Sequence, residues 1–427
     1  MNILIVTQYF WPENFRINDL AIGLHEKGHS ISVLTGIPNY PGGRFFKGYG
    51  FFRKRSENYH GISVFRVPLF SRGKGTGFRL AVNYLSFALS ASFMGPFICR
   101  DNYDIIFVYE PSPITVGIPA LVLKKIKSAP VMFWMQDLWP ESLTAAGAVK
   151  SRIVLKLFEF LVRIIYKGCD RILAQSRAFI PNILRLTGDS KQVLYYPNSA
   201  EEFYQPVNVA DEAPEQVVMP EGFRVTFAGN IGAAQDFETI LAAAELIKEQ
   251  KDIKWVIIGD GRMLPWVKDQ INKRGLGQTV HSLGKYPAEA MPRFFALSDA
   301  LLVSLKKEPI FSLTIPAKIQ SYLSCAKPII AALDGEGAKV VEESGAGLAC
   351  PAENPDALAK TILKMYDMPE INRQLMGMNG KIYFEKNFER NMLLDRLEGW
   401  MVELKEERDK GIRQMDRRTC GRHKAER

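Results

Sequence analysis

The chain has 427 residues, 47% of them hydrophobic, 11% aromatic and 24% charged. That is apolar material for a large core, which excludes a disordered or fibrous chain, and at roughly 150 residues per domain it is too long for one small module. Lys and Arg number 55 against 46 Asp and Glu, a net charge of +9 with a pI near 9.1, so the partner is expected to be anionic: nucleic acid, a membrane surface or a phosphorylated ligand.

The N-terminus opens on an apolar run, Ile3 to Thr7, with neither the basic region nor the cleavage site of a signal peptide, and reads as a buried strand of a cytoplasmic protein. A Pro-containing loop, a helical pattern from Asn18 to Lys27, Gly28 and a second run, Ile31 to Leu34, complete a β-loop-α-β unit. Further runs at Ile105 to Tyr109, Val131 to Met135 and Arg171 to Ala174 predict a parallel sheet covered on both faces. Residues 1–203 are therefore expected to form one doubly wound domain.

A Pro-, Glu- and Asp-bearing stretch at 204–222 reads as a linker. Runs at Val225 to Phe227, Trp255 to Ile258, Ala300 to Ser304 and Pro328 to Ala331 predict a second α/β domain over 223–384, facing the first across a cleft. Residues 385–408 are expected to be a helix packing back on the first domain. The tail at 409–427 is basic and nearly devoid of apolar residues, which predicts disorder.

Chemistry concentrates at strand ends. In Phe227-Ala-Gly-Asn-Ile-Gly-Ala-Ala-Gln-Asp236, Gly229 and Gly232 lie between a strand and a helix, where backbone amides can meet a phosphate. A tight turn needing glycine reads equally well. Ile257-Ile-Gly-Asp-Gly261 is a second such turn, and Ile315-Pro-Ala-Lys-Ile-Gln-Ser-Tyr-Leu323 puts Lys318 in the first turn of a helix. A cation there opposes the helix dipole, which favours a role in neutralising a diphosphate.

In the first domain, Phe133-Trp-Met-Gln-Asp-Leu-Trp-Pro-Glu141 follows a buried strand. Asp137 and Glu141 are candidate base or orienting carboxylates, with helix capping the structural alternative for Asp137. The loop Tyr9-Phe-Trp-Pro-Glu-Asn-Phe-Arg16 offers Arg16, unless Trp11 and Phe15 only close the core. Cys99, Cys169, Cys325, Cys350 and Cys420 form no Cys-x-x-Cys pair, and His25, His29, His60, His281 and His423 do not cluster, so neither a disulfide framework nor a metal site is expected. His29 is read as structural.

Leu80 to Cys99 contains no charged residue and is long enough to cross a bilayer, but Arg72, Lys74 and Arg79 precede it and Arg100 follows it. Spanning, interfacial contact and core packing all stay open. Val149 to Leu173 interleaves Lys150, Arg152, Lys156, Arg163 and Lys167 with apolar residues at helical spacing, which suits anionic lipid heads or a solvated face over a core. No nucleic-acid-binding module accompanies the basic residues, so nucleic acid is not the expected partner.

The order of these segments resembles the family 4 retaining glycosyltransferases of the GT-B fold, which have two Rossmann-like doubly wound domains. The resemblance rests on Leu24-His-Glu-Lys-Gly-His-Ser-Ile-Ser-Val-Leu-Thr35, Gly229 to Gln235, Gly259-Asp-Gly261, Pro316-Ala-Lys to Ala326-Lys-Pro328, and Glu343-Ser-Gly-Ala-Gly347. Gln136-Asp-Leu-Trp-Pro-Glu141 resembles the bacterial O-antigen, capsule and colanic-acid branch, a fucosamine transferase being a close candidate. The chain departs from the family at the catalytic His, replaced by Gln136-Asp137, at the phosphate-loop Lys, here Gln235, and at two glutamates, here Leu313 and Ser321. The resemblance implies metal-independent transfer, with retention, from a nucleotide sugar, expected to be a UDP-linked N-acetylated or deoxy sugar, to a polyprenyl-diphosphate-linked saccharide at the inner face of the plasma membrane. Together with the residues read above, the expected donor contacts are Gly229, Asn230, Gly232, Gln235, Gly259, Asp260, Gly261, Arg16 and Ser321, and the expected catalytic residues Asp137, Lys318 and Glu141. A nucleotide-sugar 2-epimerase and a non-catalytic scaffold of polysaccharide assembly are the competing readings.

Overall fold

The computed structural model describes residues 1–145, 151–188 and 192–425. It divides into two compact units: Met1–Gln175, Phe179–Tyr196 and Asn391–Arg427 form the first, and Ser176–Ala178 with Pro197–Arg390 the second. Of the basic helical segment discussed above, Val149 and Lys150 lie outside the described residues.

The first unit runs β1 (Asn2–Val6), α1 (Arg16–Glu26), β2 (Ser30–Gly36), β3 (Ser56–Tyr59), β4 (Ile62–Val67), α2 (Gly77–Ile98), β5 (Ile105–Glu110), α3 (Gly117–Lys127), β6 (Val131–Met135), α4 (Glu141–Ala145), α5 (Arg152–Gly168), β7 (Arg171–Ala174), α6 (Ile180–Thr187) and β8 (Gln192–Tyr195). Its sheet has the order β3-β4-β2-β1-β5-β6-β7-β8 and is parallel except for β3, which runs antiparallel to β4. Strands β5 and β6 are buried along their whole length, because helices cover both faces and leave no side for polar residues. In α1, Ile17, Leu20, Ala21 and Leu24 make the inward stripe at helical spacing. Ile3 of β1 lies between Ile31 of β2 and Ile105 of β5, so the strand order reverses at β1 and the loops after β1, β5 and β6 are neighbours.

The second unit runs α7 (Pro214–Val218), β9 (Phe223–Ala228), α8 (Phe237–Leu246), β10 (Ile253–Ile258), α9 (Leu264–Lys273), β11 (Val280–Gly284), α10 (Met291–Ala296), β12 (Ala300–Ser304), α11 (Pro309–Ser312), α12 (Ala317–Ser324), β13 (Ile329–Ala332), α13 (Glu336–Glu343), β14 (Gly347–Cys350), α14 (Pro355–Tyr366) and α15 (Glu370–Asn387). Its sheet is β11-β10-β9-β12-β13-β14, with every pairing parallel. A core lies on each face, Trp255 and Ile257 in one and Val256 and Ile258 in the other, the period-2 alternation of a strand buried on both sides. The chain ends in α16 (Arg390–Ala425), whose Leu393, Leu394, Leu397, Met401 and Leu404 join the core formed by Ile3, Ile17 and Leu24 of the first unit.

Several elements differ from expectation. The sequence runs miss β3, β4, β8, β11 and β14, and four of these five are sheet edges, which bury less surface and need no continuous apolar run. The stretch at 204–222 is not a bare linker: α7 lies within it, and buried Glu215 pairs with Arg293 of α10 at 2.7 Å. The helix runs on to Ala425, where the sequence reading expects disorder, the tail containing no proline to stop it. His29 is structural, its ring 3.1 Å from the N-terminal amine and 2.9 Å from Glu398.

Candidate functional site

In the second unit the turns after β9 and β10 interlock through their backbones. Gly229 N–H donates to Ile258 O at 2.8 Å, Ile231 N–H to Asp260 O at 2.8 Å, and Met263 N–H to Ile231 O at 3.0 Å. The approach leaves no room for side chains. A Cβ on Gly259 would lie 1.9 Å from Gly229 O, and one on Gly261 would lie 2.2 Å from Ile231 O. Gly229 and Gly259 also have φ of +129° and +146°, a region open essentially to glycine alone.

Lys318 stands in the first turn of α12, directly after Pro316, and fills the space where a Gly229 side chain would be, its Nζ 3.2 Å from that Cβ position. Its ammonium sits over the Phe227 ring, 3.5 Å from the centroid. No carboxylate pairs with it among the described residues, and burial pushes the ammonium down to about 7. A half-buried, desolvated cation without a counter-ion, beside two glycine turns and at a helix start, is poised for an anion from outside.

One expectation about this loop is corrected. The amides of Gly229 to Gly232 do not all point to a ligand: Gly229 and Ile231 bond to backbone carbonyls, and Gly232 N–H donates to Gln235 Oε1 at 3.1 Å. Asn230 N–H alone in that stretch has no internal partner among the described residues, and only the Gly232 bond is to a side chain that a ligand oxygen can replace. Gly261 N–H is likewise held by Asp260 Oδ1 at 2.7 Å. The buried Ser321 hydroxyl, one turn beyond Lys318, donates to Ala317 O at 3.3 Å.

In the first unit, the loops at the strand reversal gather Asp137, Ser112, Tyr9 and Tyr84. Tyr84, on α2, faces Tyr9 and Ser112 and lies within electrostatic reach of Arg72 and Asp137. Burial raises the Asp137 carboxyl, opposed by Ser142, the Leu138 N–H, Trp139 and Ser112 around it. Ser142 Oγ and Trp139 Nε1 are buried and satisfied by no other group, so both are turned to this carboxyl.

Arg16 is the first residue of α1, half-buried and outside any ion pair among the described residues. The aromatic side of its loop is partly structural: Phe15 stacks on Tyr9 with ring centroids 5.1 Å apart, and Trp11 on Tyr59 at 5.0 Å. Glu141 opens α4 and faces Arg185 at 3.5 Å, while Glu159 holds the same guanidinium at 2.8 Å. That network draws Glu141 to the α5–α6 side, and burial raises its carboxyl.

Two buried acids escaped the sequence reading. Glu110 ends β5 with both carboxylate oxygens lacking a hydrogen bond, and its carboxyl is pushed well above the ordinary range by burial and then by the charge of Asp137. Glu13 Oε1 accepts from Asn39 N–H and Tyr40 N–H, both at 2.7 Å, and burial raises this carboxyl to about 7. An acid placed directly after an apolar run was the available signal for Glu110. Among the described residues no group of three or more His, Cys, Asp or Glu side chains is placed to hold a metal ion.

Two α/β units, with glycine turns and the half-buried Lys318 at the strand ends of the second, match known families over most of the chain. Residues 14–199 match the glycosyl transferase 4-like domain and residues 210–382 the glycosyl transferases group 1. The chain belongs to the group 1, family 4-like glycosyltransferases, enzymes of the GT-B fold. The probable glycosyltransferase WbjE of Pseudomonas aeruginosa is 28% identical over 270 residues, a match spanning 61% of this chain and 65%, just under two thirds, of that relative. The putative colanic acid biosynthesis glycosyl transferase WcaI of Escherichia coli is 24% identical over 338 residues, 76% of this chain and 81% of that one. Among solved structures, sucrose-phosphate synthase from Thermosynechococcus elongatus superposes with a TM-score of 0.72 at 16% identity, covering 94% of this chain and 98% of that one. Anabaena Alr3699/HepE in complex with UDP-glucose does so with 0.63 at 14%, covering 97% and 100%. At these identities the structural likenesses show the fold.

Proposed function

We propose that this protein transfers a sugar, with retention of configuration, from a nucleotide donor to a polyprenyl-diphosphate-linked saccharide during assembly of a bacterial surface polysaccharide. The observation that carries the donor half is Lys318: a desolvated, half-buried ammonium without a counter-ion among the described residues, at the start of α12 and against the Gly229 turn. A diphosphate supplies the missing anion. As the glycosidic bond breaks, negative charge grows on the leaving diphosphate, and a fixed cation beside it lowers that barrier. Asn230 N–H, and Gly232 N–H once Gln235 turns away, add donors. The Anabaena relative's complex with UDP-glucose supports a UDP-linked donor, and a 2-acetamido or deoxy sugar of the fucosamine kind is the form we assign.

Asp137 takes the acceptor side. Its burial keeps it basic enough to orient an acceptor hydroxyl or share its proton, in a chain whose Gln136-Asp137 stands where many family members have histidine. The colanic acid relative supports a surface polysaccharide as product. Such an acceptor, anchored in lipid, places the working enzyme at the cytoplasmic face of the membrane.

The test is saturation-transfer NMR against UDP-, GDP- and dTDP-sugars, followed by transfer assays on lipid-linked acceptors. Lys318→Ala is expected to weaken donor binding by about 10- to 100-fold, the worth of one charged hydrogen bond. Asp137→Asn is expected to leave donor binding intact and to lower turnover by about 10²- to 10⁴-fold. Binding with no turnover on any acceptor assigns a scaffold instead, and an altered free nucleotide sugar assigns an epimerase.

A further inference from the structure

Helices α2, α3, α5 and α6 pack side by side in one layer of the first unit. The inner side of α2 is core: Asn83, Phe87, Ala88, Ala91 and Gly95 are buried, and a Cβ on Gly95 would come within 2.9 Å of Leu34. Its outer side is an apolar stripe in which every fourth residue faces out, Leu85, Leu89, Phe93 and Phe97 being 53%, 71%, 75% and 67% exposed. Helix α5 repeats the pattern with charge added: Ile153, Leu157, Phe160 and Ile164 are exposed and alternate along one face with exposed Arg152, Lys156, Arg163 and Lys167. Between them α3 exposes Ile126 beside Lys125.

The unpaired charge on these helices is positive. Neither α2 nor α3 contains an acid, and Glu159, the one acid of α5, is held by Arg185 and Arg163. Bulky apolar side chains interleaved with cations, without competing acids, match an interface whose interior is hydrocarbon and whose surface is negative. Crossing does not fit α2. Its buried side is committed to the sheet, and cations stand at both of its ends, Arg79 and Arg100.

We propose that the outer face of α2, α3 and α5 docks this protein on an anionic lipid bilayer, with α2 lying flat in the headgroup region. The same helix supplies Asn83 and Tyr84: Asn83 Oδ1 accepts from Gln8 at 2.7 Å and its amide donates to Phe70 O at 2.6 Å, while Tyr84 faces the Asp137 cluster. Docking by this face therefore holds that cluster near the lipid surface. The inference does not need the transferase reading, because plain lipid suffices to test it.

The experiment is flotation of the full chain with phosphatidylcholine vesicles, with and without phosphatidylglycerol, in the absence of nucleotide and acceptor. Binding is expected to the anionic vesicles and to fall with added salt. Leu89→Ser/Phe93→Ser/Phe97→Ser and Lys156→Glu/Arg163→Glu are each expected to lower the bound fraction about tenfold or more, with circular dichroism and nucleotide-sugar affinity reporting that the variants remain folded. A control stripe exists on α15, where Ile371, Leu375, Met378 and Ile382 are exposed among charges of both signs; Leu375→Ser/Ile382→Ser is expected to change nothing. Absence of vesicle binding, binding indifferent to the α2 and α5 variants, or binding lost through α15 overturns the proposal. So does a concentration-dependent dimer that the α2 variant dissolves while vesicles are ignored, which assigns the face to a second copy of the chain.

Discussion

Lys318 shows how one residue links burial to binding. Burial lowers its ammonium from the ordinary lysine value of 10.5 to about 7. The lysine charges readily in the unfolded chain and only reluctantly in place, so the unliganded protein loses stability as pH falls from the unfolded value toward about 7, and the loss levels off below that. A nucleotide sugar's diphosphate keeps its charge across this range and favours the ammonium. Donor binding at pH 8 is therefore expected to take up a proton, visible as a dependence of the calorimetric enthalpy on buffer ionisation, and affinity is expected to fall as pH rises above about 7. A buffer-independent enthalpy at pH 8 would mean that Lys318 is not the diphosphate's cation. Lys318 was legible in the sequence because Pro316 marks a helix start and a lysine there runs against the dipole. Its desolvation was not, since Phe227 and Gly229 come to it from another element.

At the scale of elements, the turns after β9 and β10 form one object held by reciprocal backbone bonds. Gly259→Ala would drive a methyl to 1.9 Å from Gly229 O at a φ of +146°. It is expected to cost about 3 kcal/mol or more and to abolish donor binding. Gly277→Ala, with nothing within 4 Å of the added carbon, is expected to stay within about 0.5 kcal/mol of the parent, and thermal unfolding monitored by circular dichroism compares the two. The glycines could be read as turns from sequence. That the Gly229 and Ile231 amides are spent on holding the two turns together could not, because their acceptors, Ile258 O and Asp260 O, lie at the end of the next strand and in the turn after it.

At the scale of the whole molecule, the first unit is built from both ends of the chain. Leu393, Leu394, Leu397, Met401 and Leu404 of α16 are buried beside Ile3 and Ile17. At about 1.5–3 kcal/mol per buried side chain, their loss rivals the roughly 5–15 kcal/mol that holds a domain folded. A chain ending at Arg390 is expected to be insoluble or to lack the cooperative unfolding of its first unit, whereas one ending at Lys410 is expected to keep the parent's melting temperature; calorimetry of both decides. By itself the sequence determined the α/β class, most interior strands, the family resemblance, and Lys318 and Asp137 as residues to watch. Each of these is written in a few consecutive positions, as an apolar run, a glycine turn or a proline before a lysine. The tertiary structure alone decided which strands form the edges, which loop amides are spent internally, and that Glu110 stands in the field of Asp137. It also decided that α2 turns Asn83 inward and Phe93 outward. Those facts depend on burial and on partners far along the chain, which local pattern does not carry.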